Sequence, residues 1–303
     1  MKRKWLWGGV ALLLVVLTAY EILLRTTARP DDCTFTLDLP AARALGNAFA
    51  GDKPHEIRAE HIATFQFPGA VIATGQPWAM REMRVYGYEL GFADGTHLIV
   101  DTGMDEAQTK AAHGESFDAA AWARLSQAML SASAIYVTHE HGDHMGGLLS
   151  SPALSSAWPH AHLTIEQLGP PVGMAPVAIS DEARRALVPL SYDKQLAVAP
   201  GVVLIKAPGH TRGSQMIFVA RDDGTELLLT GDTAWHLINI DNVRGPPRLA
   251  GMILHNDATA NVCQLAALHA LAVSDPKVHL MPGHDGVQMQ ALVDSGVVIS
   301  GFR

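Results

Sequence analysis

The chain lacks the basic surface that a nucleic-acid-binding protein needs. Its 303 residues carry a formal net charge of −8, and no cluster of lysines and arginines occurs beyond residues 2–4. Proteins hold a phosphate backbone mainly through such clusters. We therefore do not expect nucleic acid to be a partner.

The chain is also poor in cysteine. Only Cys33 and Cys263 occur, and no Leu-x-x-Cys sequence indicates a lipid-anchored cysteine. Two cysteines in an oxidising compartment can form a disulfide, but their number alone does not establish one. Separate burial as two small apolar side chains agrees equally well with the sequence, which leaves their pairing open.

Internal repeats and low-complexity tracts are absent as well. Hydrophobic residues make up 48% of the chain and charged residues 17%. A chain of this length and composition buries a sizeable core, either in one large α/β domain or in two small ones.

The first long feature is an apolar run over residues 5–24, broken only by Glu21 and preceded by Lys2, Arg3 and Lys4. Twenty helical residues at about 1.5 Å each reach about 30 Å, which is enough to cross a bilayer. Basic residues ahead of such a run stay in the cytoplasm. The pattern predicts a single-pass inner-membrane anchor with the remainder on the periplasmic or extracellular side.

A cleaved signal peptide is the alternative, because residues 26–28 resemble a small-residue cleavage site and the protein would then be secreted. The apolar region of a signal peptide usually runs about 7–15 residues, so the length favours an anchor. We divide the chain into an anchor or signal segment, 1–28, a tether and entry segment, 29–59, and a main domain, 60–303.

The main domain alternates strand and helix patterns. Two apolar runs, "MRVYGYELGF" and "THLIVDTGM", flank the turn sequence "ADGT" and predict a hairpin. Residues 117–132 have helical spacing. The short run "SAIYVT" then predicts a buried strand that ends where a cluster of histidines begins.

That cluster is "THEHGDH". His139 and His141 are two residues apart, so in extended backbone both side chains point to the same side. Gly142 permits a turn that aims Asp143 and His144 at a second point nearby. Taken alone, such a cluster also fits a solvated loop.

Three later segments have one format: an apolar strand, a glycine, then a metal-binding side chain. They end in Gly209-His210, Gly231-Asp232 and Gly283-His284. A glycine at a strand end allows a sharp turn, and ligands of α/β folds gather at that edge of the sheet. We expect the four segments to converge.

The motifs "LIVDTG", "THEHGDHMGG", "PGHTRGSQ", "LLTGDTAW" and "MPGHD", in this order, resemble those of the metallo-β-lactamase-fold hydrolases over about residues 60–300. The resemblance implies an α/β fold, the αββα sandwich, with two Zn²⁺ ions per chain at one edge. It implies that His139, His141 and His210 hold the first ion, that Asp143, His144 and His284 hold the second, and that Asp232 bridges them. Glu140 occupies an unspecified position of the motif and is not an expected ligand.

Histidines and carboxylates suit zinc, and a bound zinc lowers the pKa of its water to about 7. We therefore expect an enzyme whose metal-bound hydroxide cleaves a lactone, an ester or a related carbonyl compound of small size, with Asp143 and Asp232 as catalytic residues. Asp101 is expected to support the site without binding metal. Oligomeric state is left open.

Several alternatives remain. A β-lactam hydrolase uses the same chemistry in the same compartment. An iron oxidoreductase of this fold, di-iron or mononuclear, is a lesser alternative, because those relatives typically carry glutamate where this chain has His141. A binding module with a vestigial site is disfavoured since no expected ligand is missing. The acidic charge argues against a nuclease, and export argues against a cytosolic thioesterase.

Substrate contacts are the least defined part. His236 is a candidate donor to a substrate carbonyl, and Arg244, with Arg212, is a candidate clamp for an anionic group. The apolar segments 168–179 and 235–254 are expected to form the rim of the site. Lys206 is expected to point away from the metals, and the scarcity of cations near the rim favours a lactone or ester over a β-lactam.

Overall fold

A computed structural model describes residues 2–28, 33–170, 177–254 and 256–303 of the chain. Part of the expected rim, residues 171–176, lies outside these ranges, as do residues 29–32 of the expected tether. The side chains of Lys2, Arg3 and Lys4 also lie outside the described set.

The described residues form thirteen strands in two main sheets and one small sheet. The strands are β1 (Glu56–Pro68), β2 (Met80–Gly91), β3 (His97–Thr102), β4 (Ser116–Phe117), β5 (Ala134–Tyr136), β6 (His162–Thr164), β7 (Val188–Leu190), β8 (Gln195–Ala199), β9 (Val202–Lys206), β10 (Gln215–Ala220), β11 (Glu226–Gly231), β12 (Val278–Pro282) and β13 (Ile299–Ser300). The first sheet has the order β13-β1-β2-β3-β5, with β4 paired to β1, and the second has the order β12-β11-β10-β9-β8.

The described residues also form eleven α-helices, several of which cover the outer faces of the two sheets. The helices are α1 (Lys2–Leu24), α2 (Leu39–Ala48), α3 (Gly69–Ile72), α4 (Glu106–Ala111), α5 (Ala119–Ser131), α6 (Gly142–Ser150), α7 (Asp181–Ala186), α8 (Leu237–Asn242), α9 (Arg248–Ile253), α10 (Ala258–Ser274) and α11 (Gly286–Asp294). A 3₁₀ helix covers Pro152–His160.

Three apolar layers follow from this order. The facing sides of the two sheets enclose a core that contains Tyr88, Leu204 and Leu229. Helices α5 and α6 pack on the outside of the first sheet, and α2, α8 and α10 pack on the outside of the second. This is the αββα sandwich that the motifs implied.

Two local predictions are confirmed. β2 and β3 form a hairpin in which Gly91 lies opposite His97, and Gly95 adopts the positive φ of its turn. The helix expected over 117–132 is α5, which begins where the Asp118 carboxylate accepts hydrogen bonds from two backbone N–H groups. Its buried residues, Ala121, Leu125, Ala128 and Met129, recur at helical spacing.

The sandwich begins earlier in the chain than residue 60. β1 starts at Glu56, and α2 buries Leu39 and Ala42 against the second sheet. A helix of ten residues with a narrow apolar stripe gives a weak sequence signal, which is why the segment resembles a tether.

Cys33 and Cys263 form a disulfide, with 5.3 Å between their Cα atoms. The bond ties the segment before α2 to α10 and closes a loop of 230 residues. Loop-closure entropy for so long a loop corresponds to a stabilisation on the order of 5 kcal/mol. The structure thus decides the pairing that the sequence left open.

One helix is long and apolar enough to cross a membrane by length and composition. Residues Trp7–Leu24 of α1 meet this test, and none of that window is buried by the rest of the described protein. A signal sequence near the N-terminus passes the same test.

Candidate metal centre

The ends of four strands bring the metal-binding side chains to one edge of the sandwich. β5 ends three residues before His139, and α6 then begins at Gly142, directly after His141. His210 follows β9, Asp232 follows β11, and His284 follows β12. All seven expected ligands are brought together in two groups.

The first group consists of His139, His141, His210 and Asp232, all buried, whose ligand atoms lie within 4.8 Å of one another. His210 Nε2 is 3.0 Å from His141 Nδ1 and 3.3 Å from Asp232 Oδ2. His139 Nε2 is 3.7 Å from the same carboxylate oxygen. These atoms surround one point.

The second group consists of Asp143, His144 and His284. Asp143 Oδ2 lies 3.6 Å from His144 Nε2 and 3.5 Å from His284 Nε2. Asp232 Oδ1 lies 3.3 Å and 3.1 Å from the same two nitrogens. Asp232 Oδ2, which is near the first group, also lies 3.2 Å from His284 Nε2. The Asp232 carboxylate is therefore within reach of both groups.

The buried polar atoms fit a pair of cations. His139 Nε2, His144 Nε2 and Asp232 Oδ1 are buried and have no hydrogen-bond partner. Leaving such atoms unpaired costs about 1–3 kcal/mol each, and more for a charged group. Metal ions at the two points would satisfy all three atoms, and an imidazole and carboxylate donor set suits zinc.

Asp101 orients His144 of the second group through the ring nitrogen that does not face the metal-binding point. Its carboxylate accepts hydrogen bonds from Thr138 N at 2.6 Å and from Thr138 Oγ1 at 2.9 Å, and it lies 2.8 Å from His144 Nδ1. A proton on Nδ1 leaves the Nε2 lone pair facing the metal-binding point. Asp101 has φ 59°, a left-handed conformation that is strained for an aspartate and is held by these bonds.

His284 is oriented in the same way by the main chain. Its Nδ1 lies 2.9 Å from the Arg84 carbonyl oxygen. Donation to that oxygen again leaves Nε2 free to bind a metal.

Glu140 points away from the two groups, as expected for a residue that is not a ligand. Its carboxylate accepts hydrogen bonds from Thr211 Oγ1 at 2.6 Å and from Gly213 N at 3.2 Å. Burial raises the pKa of the Glu140 carboxyl, while these bonds act in the opposite direction. Through these hydrogen bonds, Glu140 connects the segment of His139 and His141 to the loop that carries His210.

Two glycines at strand ends occupy positions where a larger side chain does not fit. A Cβ on Gly283 would lie 2.3 Å from Asp232 Oδ1, and a Cβ on Gly231 would lie 2.7 Å from the Thr138 Cβ. Gly231 also has φ 49°, in the left-handed region. Larger residues would displace the carboxylate shared by the two groups.

The pKa values of the histidines shift in opposite directions in the two groups. Burial lowers the pKa of His139 and His141, and it lowers the pKa of His210 to about 3. Burial also acts to lower the pKa of His144 and His284, but nearby carboxylates, including Asp143 and Asp232, outweigh it and raise both. The histidines of the first group are therefore neutral and ready to bind metal without losing a proton.

The groups form the floor of a cavity of about 330 Å³. Five of the seven residues line it: His141, Asp143, His210, Asp232 and His284. Every other lining residue in the described part of the chain is apolar; these residues are Leu24, Phe65, Phe67, Val71, Trp78, Met83, Met104, Ala112, Trp235, Pro247, Leu249, Ala250, Ile253 and Leu254.

The expected substrate contacts are not among the described residues that line the cavity. His236 is buried at the start of α8 with Nδ1 3.9 Å from Asp285 Oδ1, and Arg244 is half-buried after α8. Arg212 does not line the cavity either. A contact of these side chains with the substrate stays a prediction. Lys206 does point away from the metal groups, since its Nζ pairs with Glu166 at 2.8 Å.

Most of the cavity wall was not anticipated from the sequence. Phe65 and Phe67 come from β1 and Trp78 precedes β2. The alternation in "TFQFP" is a signal of one shared face for the two phenylalanines. The sequence offers no comparable signal for Trp78 or Leu24.

Comparisons with known proteins agree on the family. Residues 85–284 match the model of the family described as the metallo-beta-lactamase superfamily. A hydroxyacylglutathione hydrolase of Xanthomonas axonopodis pv. citri (strain 306) is 34% identical over 152 residues, and one of Xanthomonas euvesicatoria pv. vesicatoria (strain 85-10) is 31% identical over 155 residues. Each match covers 50% of this chain and 47% of the relative, so the chain spans about half the length of these curated relatives.

Solved structures show the same fold. An N-acyl homoserine lactone hydrolase with the product N-hexanoyl-L-homoserine at its catalytic metal centre superposes with a TM-score of 0.58 at 16% identity. The match covers 79% of this chain and 96% of that one.

Proposed function

The chain belongs to the metallo-β-lactamase superfamily of hydrolases, and on that premise we propose that it is a two-zinc enzyme that hydrolyses lactones or esters with an apolar acyl part. We propose that the seven residues of the two groups are its metal ligands, with His139, His141 and His210 on one ion and Asp143, His144 and His284 on the other. Asp232 bridges the two.

One observation carries this proposal. A single buried carboxylate, Asp232, lies within 3.3 Å of histidine nitrogens of both groups, at the floor of a cavity whose wall is apolar. The polar floor can bind metal ions and the reacting carbonyl group, and the apolar wall can contact the acyl part of the substrate.

Bound zinc ions would supply an activated water and would polarise the carbonyl of the substrate. Asp143 lines the cavity, and its side chain is 26% exposed, whereas that of Asp232 is 4% exposed. Asp143 is therefore the carboxylate best placed to orient a water and to accept its proton. The apolar wall excludes other water and holds the acyl chain.

The apolar character of the cavity wall distinguishes between the candidate substrates. Penicillins, cephalosporins and glutathione thioesters are anions, and among the described lining residues no lysine or arginine is present to pair with a carboxylate. The named activity of the Xanthomonas relatives is thus a weaker candidate for this chain than lactone or ester hydrolysis. An iron oxidoreductase is a weaker candidate because His141 Nδ1 points to the first group, at a position those enzymes typically fill with glutamate.

We further propose that α1 is an uncleaved anchor and that the sandwich is exported. Thr27 is buried, and Arg248 N donates a hydrogen bond to the Thr26 carbonyl at 3.1 Å, so the residues after α1 are part of the folded domain. The disulfide between Cys33 and Cys263 suits an oxidising compartment.

The test is a substrate panel on the full-length protein, purified in detergent and loaded with zinc. We expect turnover of acyl lactones or aryl esters that rises with acyl length, and loss of about 10²–10⁴-fold in kcat with Asp143→Ala. His269→Ala is the matched control and should match the wild type, because its ring bonds to the Ile240 carbonyl away from the cavity. Turnover of penicillins or cephalosporins without turnover of lactones and esters would overturn the substrate assignment.

A further inference from the structure

The mouth of the cavity is unusually apolar for a surface in contact with water. One lip carries Trp78 and Met80, which are 49% and 57% exposed. The opposite lip is the end of α9, where Met252 and Ile253 are 68% and 58% exposed. Clustered exposed apolar side chains around an opening mark a surface that meets another apolar phase.

The same mouth lies at the end of the candidate membrane span. Leu24, the last residue of α1, lines the cavity together with Leu249 and Ile253 of α9. The surface of α1 is exposed over residues 7–22, and only Leu23 and Leu24 at its end are partly covered. The apolar helix and the apolar opening are therefore continuous.

The connection between them is short and fixed. Arg25 follows α1 directly, the Thr26 carbonyl accepts a hydrogen bond from Arg248 N, and Thr27 is buried. A loose tether would let the domain move away from the bilayer, whereas this link holds α9 beside the last turn of α1. If α1 spans a bilayer up to Arg25, the lips of the cavity lie at the level of the lipid headgroups.

The side chains around the mouth of the cavity are of types that occur at the level of the lipid headgroups. Tryptophan is enriched at membrane interfaces, because its ring is apolar and its indole N–H is polar. Arg25, Arg81 and Arg248 are exposed and directly adjoin Leu24, Met80 and Leu249 in the chain, but none of them lines the cavity. They are of the right sign to meet lipid phosphates, and Arg25 also pairs with Glu21 at 3.6 Å.

We propose that the cavity opens onto the bilayer surface, that Trp78, Met80, Met252 and Ile253 enter the interface, and that the enzyme draws an amphiphilic lactone or ester from the lipid phase. The membrane contact rests on the structure of the mouth and on the anchor role proposed above for α1. The identity of the substrate rests on the proposed function.

Membrane contact is tested without any catalysis. Full-length protein with Trp5 and Trp7 replaced by phenylalanine is placed in vesicles of phosphatidylethanolamine and phosphatidylglycerol that carry bromines on the upper acyl chain. We expect bromine to quench part of the tryptophan fluorescence, and we expect Trp78→Phe to abolish that part. Quenching unchanged by Trp78→Phe would overturn the contact.

Substrate entry is tested by kinetics in the same vesicles without bromine. The double variant Met80→Ser/Met252→Ser changes the lips but no residue that lines the cavity. We expect it to lower kcat/KM for a dodecanoyl lactone by about tenfold, from lost apolar contact with the bilayer, and to leave the water-soluble butanoyl lactone unchanged. Val273→Ser is the matched control, because Val273 is 72% exposed near the end of α10 that adjoins Asp275, far from the strand ends of the site.

The outcomes separate the two proposals. Equal loss for both lactones, or no loss for either, would overturn entry from the lipid phase while leaving lactone hydrolysis in place. If neither lactone is hydrolysed, the proposed substrate fails, and the quenching result still decides whether the mouth contacts the bilayer.

Discussion

At the scale of single residues, Asp232 is shared by the two groups. Its carboxylate lies 3.3 Å from His210 Nε2 of the first group and 3.3 Å from His144 Nε2 of the second. Burial acts to raise the pKa of Asp232, but His284, His144 and His139 outweigh it and lower the pKa well below its usual range. The carboxylate is therefore ionised whenever the protein is folded near neutral pH.

Replacing Asp232 with alanine should lower metal content at both groups, because one side chain supplies a ligand atom to each. Elemental analysis of the purified variant should give less metal than the wild type, with the deficit at both positions. His269→Ala should retain the wild-type content. Unchanged metal in Asp232→Ala would remove the bridging role.

The histidine pKa shifts predict an order of metal loss in acid. Raised pKa values mean that His144 and His284 take up protons first as the pH falls, and protons compete with metal for the same nitrogens. The depressed pKa values of His139, His141 and His210 delay that competition. Dialysis from about pH 8 to about pH 5 should therefore remove the ion held by Asp143, His144 and His284 first.

A titration followed by elemental analysis and by cobalt absorption would show two separated steps. His144→Ala and His210→Ala, each leaving one group intact, assign the steps. Loss of both ions in a single step, or of the first group before the second, would contradict the expected order.

At the scale of elements, strand ends aim the ligands. Each late ligand follows a glycine that closes a strand or begins the turn after it, and the tight approach of Gly283 to Asp232 shows why no larger residue fits. The helix α6 adds Asp143 and His144 from its first turn. Strands on one side and the start of a helix on the other position the seven side chains.

Gly283→Ala should lower kcat by about a hundredfold, because the added methyl displaces the shared carboxylate by roughly an ångström or more. The matched control is Gly251→Ala in α9, where an added Cβ meets nothing within 4 Å. That control should keep full activity and gain about 0.5–1 kcal/mol of stability from its better helix propensity. Circular dichroism separates misfolding from a local effect, and a fully active Gly283→Ala would refute the argument.

At the scale of the whole molecule, α1, the disulfide and the cavity form one continuous arrangement. α1 ends at the cavity, the Thr26 carbonyl accepts a hydrogen bond from Arg248 at the start of α9, and the disulfide ties Cys33 to α10. Removing α1 would thus remove part of the cavity wall along with the proposed membrane attachment.

The proposed topology predicts the activity of a fused reporter. Alkaline phosphatase, which folds only in an oxidising compartment, should be active when fused after residue 303 and inactive when fused ahead of Met1. N-terminal sequencing of the membrane-bound protein should begin within residues 1–5. Activity of only the fusion ahead of Met1 would reverse the topology, and a mature protein that begins near residue 29 would establish cleavage instead.

The sequence by itself determined the family, the order of the layers and the seven side chains that meet at the site. The sequence signals for those features lie within short segments. His139, His141, Asp143 and His144 occur within six residues, and His210, Asp232 and His284 each follow a strand and a glycine. Only the tertiary structure decided the rest. The disulfide and the packing of Leu24 and Phe65 around one cavity depend on contacts between residues far apart in the chain. No local spacing encodes such contacts, because they arise only when helices and sheets pack into a common core.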